Sequence, residues 1–277
     1  MSLLEVSVKD SGQTLLSFLR SALSAYPSVK AIKRAIDAKQ CKINGRVEFF
    51  STHRLRTGDL VEIVLEVAKP NLSAPVLFED SELILFDKPA GKTSESFEGF
   101  FLVHRLDKET SGVILFAKTP EMRDLLISLF SKRKVDKEYL AICDGKMVQE
   151  KWVCDDFLGK KAAYQGGSLY GKVPKEKGKR AVTHFELLRA CETASYVLAK
   201  PITGRTHQVR VHLRDRGHPV LGDWQYGKQF KCPLHPKRHL LHARLLFFVH
   251  PTTGKKLEIR APLSKDFLEA QKMLFGA

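Results

Sequence analysis

Residues 104–118 have the sequence His-Arg-Leu-Asp-Lys-Glu-Thr-Ser-Gly-Val-Ile-Leu-Phe-Ala-Lys, in which a polar loop runs directly into an apolar strand. Turn-forming residues extend to Gly112, and the apolar run after it is typical of a buried strand. A loop at the end of a sheet strand is a common place for a reactive group, and Asp107, between basic residues, is the candidate here. Taken alone, however, this stretch favours a different interpretation, in which Asp107 is a solvated carboxylate in a turn.

The composition predicts a folded protein with a polyanionic partner. The chain has 277 residues, of which 43% are hydrophobic and 28% are charged, and its formal net charge is +15. This length can hold two domains and a sizeable core, and the positive charge favours nucleic acid over a membrane surface as partner. No apolar run could span a bilayer, and residues 1–10 carry charges where a signal peptide is apolar. We therefore expect a cytoplasmic protein, and we expect a monomer.

The cysteines and histidines do not predict a disulfide framework or a metal centre. The chain has five cysteines, scattered and without a Cys-x-x-Cys pair. The segment from Cys232 to His242 has spacings that zinc could use, but prolines interrupt it and a second cysteine pair is missing. Histidines that face solvent or RNA are the favoured interpretation. Gly171 to Arg180 lacks the spacing and the Ser or Thr of a phosphate-binding P-loop, so we predict neither a metal nor a cofactor.

Residues 1–67 predict a small domain built from two helices, a hairpin and a final strand. Thr14 and Ser28 are suitable helix caps. Asn44-Gly45, in the middle of residues 41–47, is a strong hairpin signal.

The second of these helices has a basic side. Lys30, Lys33 and Arg34 are displaced from its apolar face, and such side chains can bind phosphates without reading bases. A small domain with a solvated charged face fits the same pattern. Residues 68–75 contain two prolines and no periodicity, which predicts a linker.

Residues 76–277 alternate between predicted strands and helices. Thr119-Pro120 is a strong helix start, and Ser264 can cap a last helix. Residues 159–180 contain seven basic residues and one acidic residue, with glycines between them. They predict a mobile basic loop in which Lys172 and Lys175 bind an RNA backbone.

Residues 204–214, Gly-Arg-Thr-His-Gln-Val-Arg-Val-His-Leu-Arg, predict a helix from about His207 to Arg216. Their alternation of polar and apolar residues also permits a strand. On the helix, Arg210 would lie one turn from His207 and from Arg214, forming a cationic face near the positive end of the helix dipole.

Five phrases in this chain stand in the order that is typical of one enzyme family. They are Lys88–Gly91, His104–Gly112, Lys137–Ala141, Gly204–His212, and Leu241–Ala243 with His250-Pro251. Together they resemble the RluA family of pseudouridine synthases over nearly all of residues 76–275. The segment of twelve residues from Lys92 to Val103 is shorter than the family's usual one, which bears on the shape of the RNA groove rather than on the chemistry. The order of elements in residues 1–67 resembles the S4 RNA-binding domain, which often precedes this catalytic domain.

The resemblance implies an α+β fold. The catalytic domain, residues 76–277, would be a mixed, largely antiparallel sheet with flanking helices, and a small S4-like α/β domain, residues 1–67, would precede it. It implies the isomerisation of uridine to pseudouridine in RNA, without cofactor or metal. By similarity, Asp107 is the essential carboxylate, Arg210 its ion partner and Tyr139 the aromatic that stacks on the base and, through its hydroxyl, assists proton removal from C5. It leaves open whether Asp107 attacks the sugar or takes a proton from it. A carboxylate in a closed pocket needs such a guanidinium, because burial favours the protonated form.

The resemblance also implies how RNA is bound. The target uridine must be flipped out of its stack, which costs a few kcal/mol that phosphate contacts would offset. The side chains that we expect to contact RNA are His104, Arg105, Arg205, His207, Lys30, Lys33, Arg34, Lys172 and Lys175. His104 could instead hold the loop of Asp107. We expect large-subunit ribosomal RNA as the substrate, with transfer RNA as the second candidate; a non-catalytic RNA-binding factor and an RNA glycosidase are alternatives of other classes.

Overall fold

The chain forms two compact units. The computed structural model describes residues 2–23, 29–64, 74–164 and 167–276, with the backbone alone for residues 29–31. One unit consists of residues 1–71, 97–101 and 118–120, and the other of the rest of the chain. Most of the predicted linker, residues 68–73, lies outside the described residues.

The first unit is a four-stranded antiparallel sheet with two helices. Its elements are β1 (Ser2–Glu5), α1 (Leu15–Ala22), α2 (Val29–Asp37), β2 (Cys41–Ile43), β3 (Arg46–Val47) and β4 (Leu60–Ile63), and the strand order is β1-β4-β2-β3. The Thr14 hydroxyl accepts a hydrogen bond from the Ser17 backbone N–H and caps α1 as predicted. Asn44 and Gly45, both with positive φ, form the predicted turn between β2 and β3.

The second unit contains the Asp107 loop. Its elements are β5 (Val76–Glu79), β6 (Leu83–Lys88), β7 (Phe101–Leu102), β8 (Ser111–Ala117), α3 (Pro120–Ser131), β9 (Asp136–Asp144), β10 (Lys151–Tyr164), β11 (Gly167–Lys172), β12 (Lys179–Ala190), β13 (Ala194–Pro201), α4 (Gln208–Asp215), β14 (Leu241–Val249), β15 (Lys256–Arg260) and α5 (Lys265–Phe275). Among the described residues, no helix is both long and apolar enough to cross a membrane.

The sheet of the second unit is mixed and largely antiparallel, as predicted. Its strands follow the order β11-β10-β12-β13-β9-β14-β8-β6-β5, with β15 beside β14. The pairing of β14 with β8 is parallel, and β14 pairs antiparallel with β9 on its other side. Strand β14, from the end of the chain, therefore lies between two strands from its middle.

The prediction of a mobile loop at residues 159–180 is wrong, because β10 and β11 pair through most of it. The apolar residues among its lysines are responsible for the difference. Leu158, Leu169 and Tyr170 pack against Val211 and Tyr226 in a small core next to α4. That burial holds a basic hairpin against the helix that carries Arg210.

Candidate active site

The strand register brings the Asp107 loop next to Tyr139. Ala243 of β14 pairs with Gly112 of β8 on one side and with Tyr139 of β9 on the other. Gly112 has φ +111°, and a Cβ there would lie 2.1 Å from the carbonyl oxygen of Ala243. Only glycine allows this close approach, so the pairing of β8 with β14 requires Gly112 at the end of the loop.

Buried histidines hold the same loop. The Thr110 hydroxyl lies 2.9 Å from His239 Nε2, and the Ser111 hydroxyl lies 2.9 Å from His242 Nδ1. Burial lowers the pKa of His242 to about 4 and also lowers that of His239, so both rings are neutral at pH 7. The expectation that the histidines of this segment face solvent or RNA is wrong for His239 and His242, whose hydrogen bonds fix the residues that follow Asp107, whereas His235 is exposed.

Arg238 connects the loop to the C-terminal helix. Its guanidinium donates to the Glu109 carbonyl at 3.0 Å and to the Asp266 carboxylate at 2.7 and 3.0 Å. Asp266 lies in the first turn of α5. Helix α5 thus stabilises the loop through Asp266 and Arg238.

Lys88 and Ser94 fix the other side of the loop. The fully buried ammonium of Lys88 donates to the carbonyls of Pro89, Lys92 and Lys108 at 2.8–3.0 Å, and burial lowers its pKa to about 8. The Ser94 hydroxyl accepts from the Leu106 N–H at 3.0 Å and lies 3.1 Å from the Leu106 carbonyl. The short segment after Gly91 therefore holds the residue directly before Asp107.

Arg210 is the guanidinium that meets Asp107. It lies in α4, its side chain is 5% exposed, and its Nη1 donates to Asp107 Oδ2 at 2.8 Å. The Asp107 side chain is 24% exposed, and its Oδ1 lies 3.8 Å from His207 Nε2, beyond hydrogen-bond range. One carboxylate oxygen is therefore held by Arg210, while the other is left without so close a contact.

Asp223 completes the site, although no motif in the sequence singles it out. Its carboxylate accepts from Arg210 Nε at 2.7 Å and from Nη2 at 2.8 Å, and it is 1% exposed. Gln225 Oε1 accepts from the same Nη2 at 2.7 Å. Burial opposes the charge of Arg210, but the hydrogen bonds and charges of Asp223 and Asp107 outweigh it and raise the pKa of Arg210.

His207 stands at the start of α4, in a left-handed conformation with φ 56°. Its Nδ1 lies 2.7 Å from the Tyr226 hydroxyl, which also accepts from the Tyr170 N–H. Burial lowers the pKa of His207, which keeps the ring neutral at pH 7. If the Tyr226 hydroxyl donates to Nδ1, the ring proton sits on Nε2, the nitrogen that faces Asp107.

Tyr139 faces the same carboxylate from β9. Burial and the charge of Asp107 raise the pKa of the Tyr139 phenol. The phenol therefore keeps its proton at neutral pH, and a role in stacking or hydrogen-bond donation fits it better than a role as base.

Several of these residues line one cavity of about 600 Å³. Tyr139, Asp107 and Arg210 line it, as do four of the expected RNA contacts: His104, Arg105, Arg205 and His207. His104 Nε2 accepts from the Leu115 N–H at 3.0 Å and its ring stacks on Phe130, while burial lowers its pKa to about 3. These contacts give His104 the loop-holding role.

The other expected RNA contacts are not among the residues that line this cavity, and two of them already have partners. Lys172 forms an ion pair with Asp156, and Arg34 Nη1 lies 3.0 Å from Glu98 Oε1. Lys33 and Lys175 are exposed. The side chain of Lys30 lies outside the described residues.

Comparison with known proteins identifies relatives of the whole chain. Residues 91–215 match the RNA pseudouridylate synthase family. The chain is 31% identical to ribosomal large subunit pseudouridine synthase D of Haemophilus influenzae, over 96% of this chain and 92% of that protein. It is 35% identical to tRNA pseudouridine synthase C of Haemophilus ducreyi, over 73% of this chain and 94% of that protein. The solved structure of human RNA pseudouridylate synthase domain containing 1 matches with a TM-score of 0.60 and 28% identity, over 69% of this chain and 83% of that one.

Proposed function

Because the chain belongs to the RluA family of RNA pseudouridine synthases, we propose that it converts uridine to pseudouridine in large-subunit ribosomal RNA, with Asp107 as the catalytic group. The observation that carries this proposal is the asymmetry of Asp107: Oδ2 accepts a hydrogen bond from Arg210, while Oδ1 has no hydrogen-bond partner among the described residues and lies 3.8 Å from His207 Nε2. A carboxylate kept ionised by one oxygen and available at the other suits a group that acts on a sugar.

The residues of the cavity fit each step of that isomerisation. The bond between C1′ and N1 breaks while Asp107 Oδ1 acts on the sugar, and the uracil keeps the electron pair of that bond and remains in the cavity. The base then turns and C5 bonds to C1′; the proton displaced from C5 passes to solvent and N1 takes one from solvent, so no electrons are exchanged overall. Tyr139 stacks on the base throughout and offers its hydroxyl proton to a base oxygen.

The choice of RNA rests on the relatives. The relative that matches 96% of the chain is named for ribosomal large subunit RNA, whereas the relative named for transfer RNA matches 73%. Transfer RNA is therefore the second candidate. The cytoplasmic location and the monomeric state stay predictions.

The test is to map pseudouridines at single-base resolution in ribosomal and transfer RNA from cells with and without the gene. We expect at least one large-subunit position to revert to uridine in the deletion strain. A lost position in transfer RNA alone would select the second candidate. Free uracil released by the purified protein would mean an RNA glycosidase, and an unchanged map would mean a binding protein without this activity.

We further propose that residues 1–67 are an S4-like RNA-binding domain, that 68–75 link it, and that 76–277 form the catalytic domain. On α2, Ile32 and Ile36 are buried while Lys33 and Arg34 are exposed, which supports a basic face that binds phosphates.

Lys33→Glu tests this basic face in the full-length chain. We expect weaker RNA binding and a salt dependence whose log–log slope is smaller by about one, since one phosphate contact is lost. Lys9→Glu, an exposed change in the same unit, is the matched control. Equal behaviour of the two variants would remove the role of α2 in RNA binding.

A further inference from the structure

A second cavity, also of about 600 Å³, adjoins the catalytic one. Asp107, His207 and Arg210 line both cavities, so the two share a wall at the catalytic carboxylate. If a flipped uridine occupies the first cavity, the nucleotide joined to it by one phosphodiester is brought to the second.

Trp224 is the main feature of the second cavity that the catalytic chemistry does not use. It is 55% exposed; its ring is perpendicular to that of Phe230 at a centroid distance of 5.2 Å, and one face stacks on His235 at 6.3 Å. Its chain neighbours are fixed: Asp223 accepts two hydrogen bonds from Arg210, and Gln225 Nε2 donates to the Tyr164 hydroxyl at 2.8 Å. The indole is thus held half in solvent by the network that holds Arg210.

Tyr164 adds a second exposed aromatic ring to the same cavity. It is 54% exposed and follows the basic residues of β10. A single exposed aromatic side chain on a protein surface needs no explanation, but two in one cavity that borders a catalytic group indicate a binding surface.

The charges of the cavity indicate what binds there. Lys108 and Lys237 line it and Lys108 directly follows the catalytic residue, while Arg105, also in the lining, pairs with Glu95 at 3.4 Å. Aromatic faces that alternate with cations are the combination that binds unpaired nucleotides, since the rings stack on bases and the cations contact phosphates.

We propose that the second cavity is a subsite for the nucleotide next to the target uridine, whose base stacks on Trp224. The subsite rests on the proposed function, since it presumes an RNA strand that enters the catalytic cavity. With this subsite the enzyme recognises an unpaired nucleotide next to the target uridine, because only an unstacked base can reach an indole in this position.

The test uses full-length protein and an RNA transcript of roughly thirty nucleotides around a mapped target uridine. In the Asp107→Asn background, which leaves the RNA unmodified, we expect Trp224→Ala to raise the Kd about 5-fold to 150-fold, the effect of losing one base stack. Trp224→Phe keeps a stacking face and should stay within a few-fold of the parent. Met273→Ala, an exposed apolar change on α5, is the matched control and should not alter the Kd.

Abasic RNA separates stacking from misfolding. Replacing the neighbouring nucleotide, on the 5′ or the 3′ side, with an abasic residue should weaken binding by the parent to the same extent, and should not weaken Trp224→Ala further. Additive losses, or a parent that is indifferent to both abasic positions, would overturn the subsite. Turnover of the transcript by the otherwise unchanged protein tests the proposed function separately, so the failure of one is distinct from the failure of the other.

Discussion

Arg210 lies between two carboxylates that are held very differently. Asp223 is 1% exposed and accepts two hydrogen bonds from the guanidinium, whereas Asp107 is 24% exposed and accepts one. The geometry at Asp223 is that of a bidentate buried pair, which fixes orientation. The geometry at Asp107 leaves one oxygen available to the cavity. Two residues of the same type thus differ in their place: Asp223 holds the guanidinium, and Asp107 presents one oxygen to the cavity, as its proposed catalytic role requires.

Asp107→Asn should have the largest effect. Turnover should fall on the order of 10⁴-fold, because the amide keeps the shape but loses the anionic oxygen. RNA binding should stay close to that of the unchanged protein, which a filter-binding assay measures beside the turnover assay. If the variant retained turnover, the open carboxylate would not be the catalytic one.

Asp223→Asn should reduce both activity and stability. The buried guanidinium of Arg210 would lose the more buried of its two carboxylate partners, which costs about 3 kcal/mol of unfolding free energy, and turnover should fall about a hundredfold as Arg210 shifts. Urea unfolding and steady-state kinetics measure the two effects.

Asp155→Asn is the matched control for this variant. Arg180 donates to Asp155 from Nε and Nη2, in the same two-bond geometry but at the surface. Its loss should change stability little, because solvent screens exposed pairs. A stability loss as large as that of Asp223→Asn would mean that burial is not what makes the Arg210–Asp223 pair important for stability.

Substitutions of Tyr139 test the cavity into which the free oxygen of Asp107 faces. Tyr139→Phe should lower turnover by no more than about tenfold, because the ring remains and one hydrogen bond is lost. Tyr139→Leu should lower it about a hundredfold, because the stacking face is lost as well. Turnover of the two variants on one transcript measures the difference. A Phe variant as weak as the Leu variant would assign the main role to the hydroxyl.

Acid should lower the unfolding free energy through the buried histidines. The pKa values of His212 and His242 are lowered from 6.5 to about 4, mainly by burial. Above pH 6.5 these rings are neutral in both folded and unfolded chains. Between about pH 6.5 and 4 the unfolded chain binds protons that the folded chain excludes, so the unfolding free energy falls by up to about 1.4 kcal/mol per pH unit for each ring. Urea unfolding at pH 7, 6 and 5 measures this slope.

His242→Asn isolates the ring that contacts Ser111. The variant should be less stable at pH 7, because that contact is changed, but its stability should depend less steeply on pH. A slope equal to that of the unchanged protein would show that His242 does not contribute to the acid sensitivity.

Most of the fold followed from local patterns, and the errors have physical reasons. The cap at Thr14, the start of α3 at Pro120 and the Asn44-Gly45 turn depend on neighbouring residues, so they could be predicted from the sequence. Strands β10 and β11 were missed because lysines and glycines hide a few apolar residues whose partners lie on α4. Strand β1 at the start of the chain also went unpredicted.

The site was predicted in part for similar reasons. Asp107, Tyr139 and Arg210 stand in recognisable phrases, and the structure brings all three to one cavity. Asp223 stands in the glycine-framed turn from Leu221 to Gly227, where a carboxylate usually only stabilises the turn. Its role depends on the distance between a loop and a helix, and local sequence carries no information about that distance.

The position of β14 has a consequence for synthesis of the protein. This strand, Leu241–Val249, lies between β8 and β9, so the sheet that places Gly112 two strands from Tyr139 cannot close before the end of the chain leaves the ribosome. A nascent chain of about 240 residues would contain Asp107, Tyr139 and Arg210 in full and still hold them apart. The last strand needed to bring these three residues together is therefore also among the last parts of the chain to be synthesised.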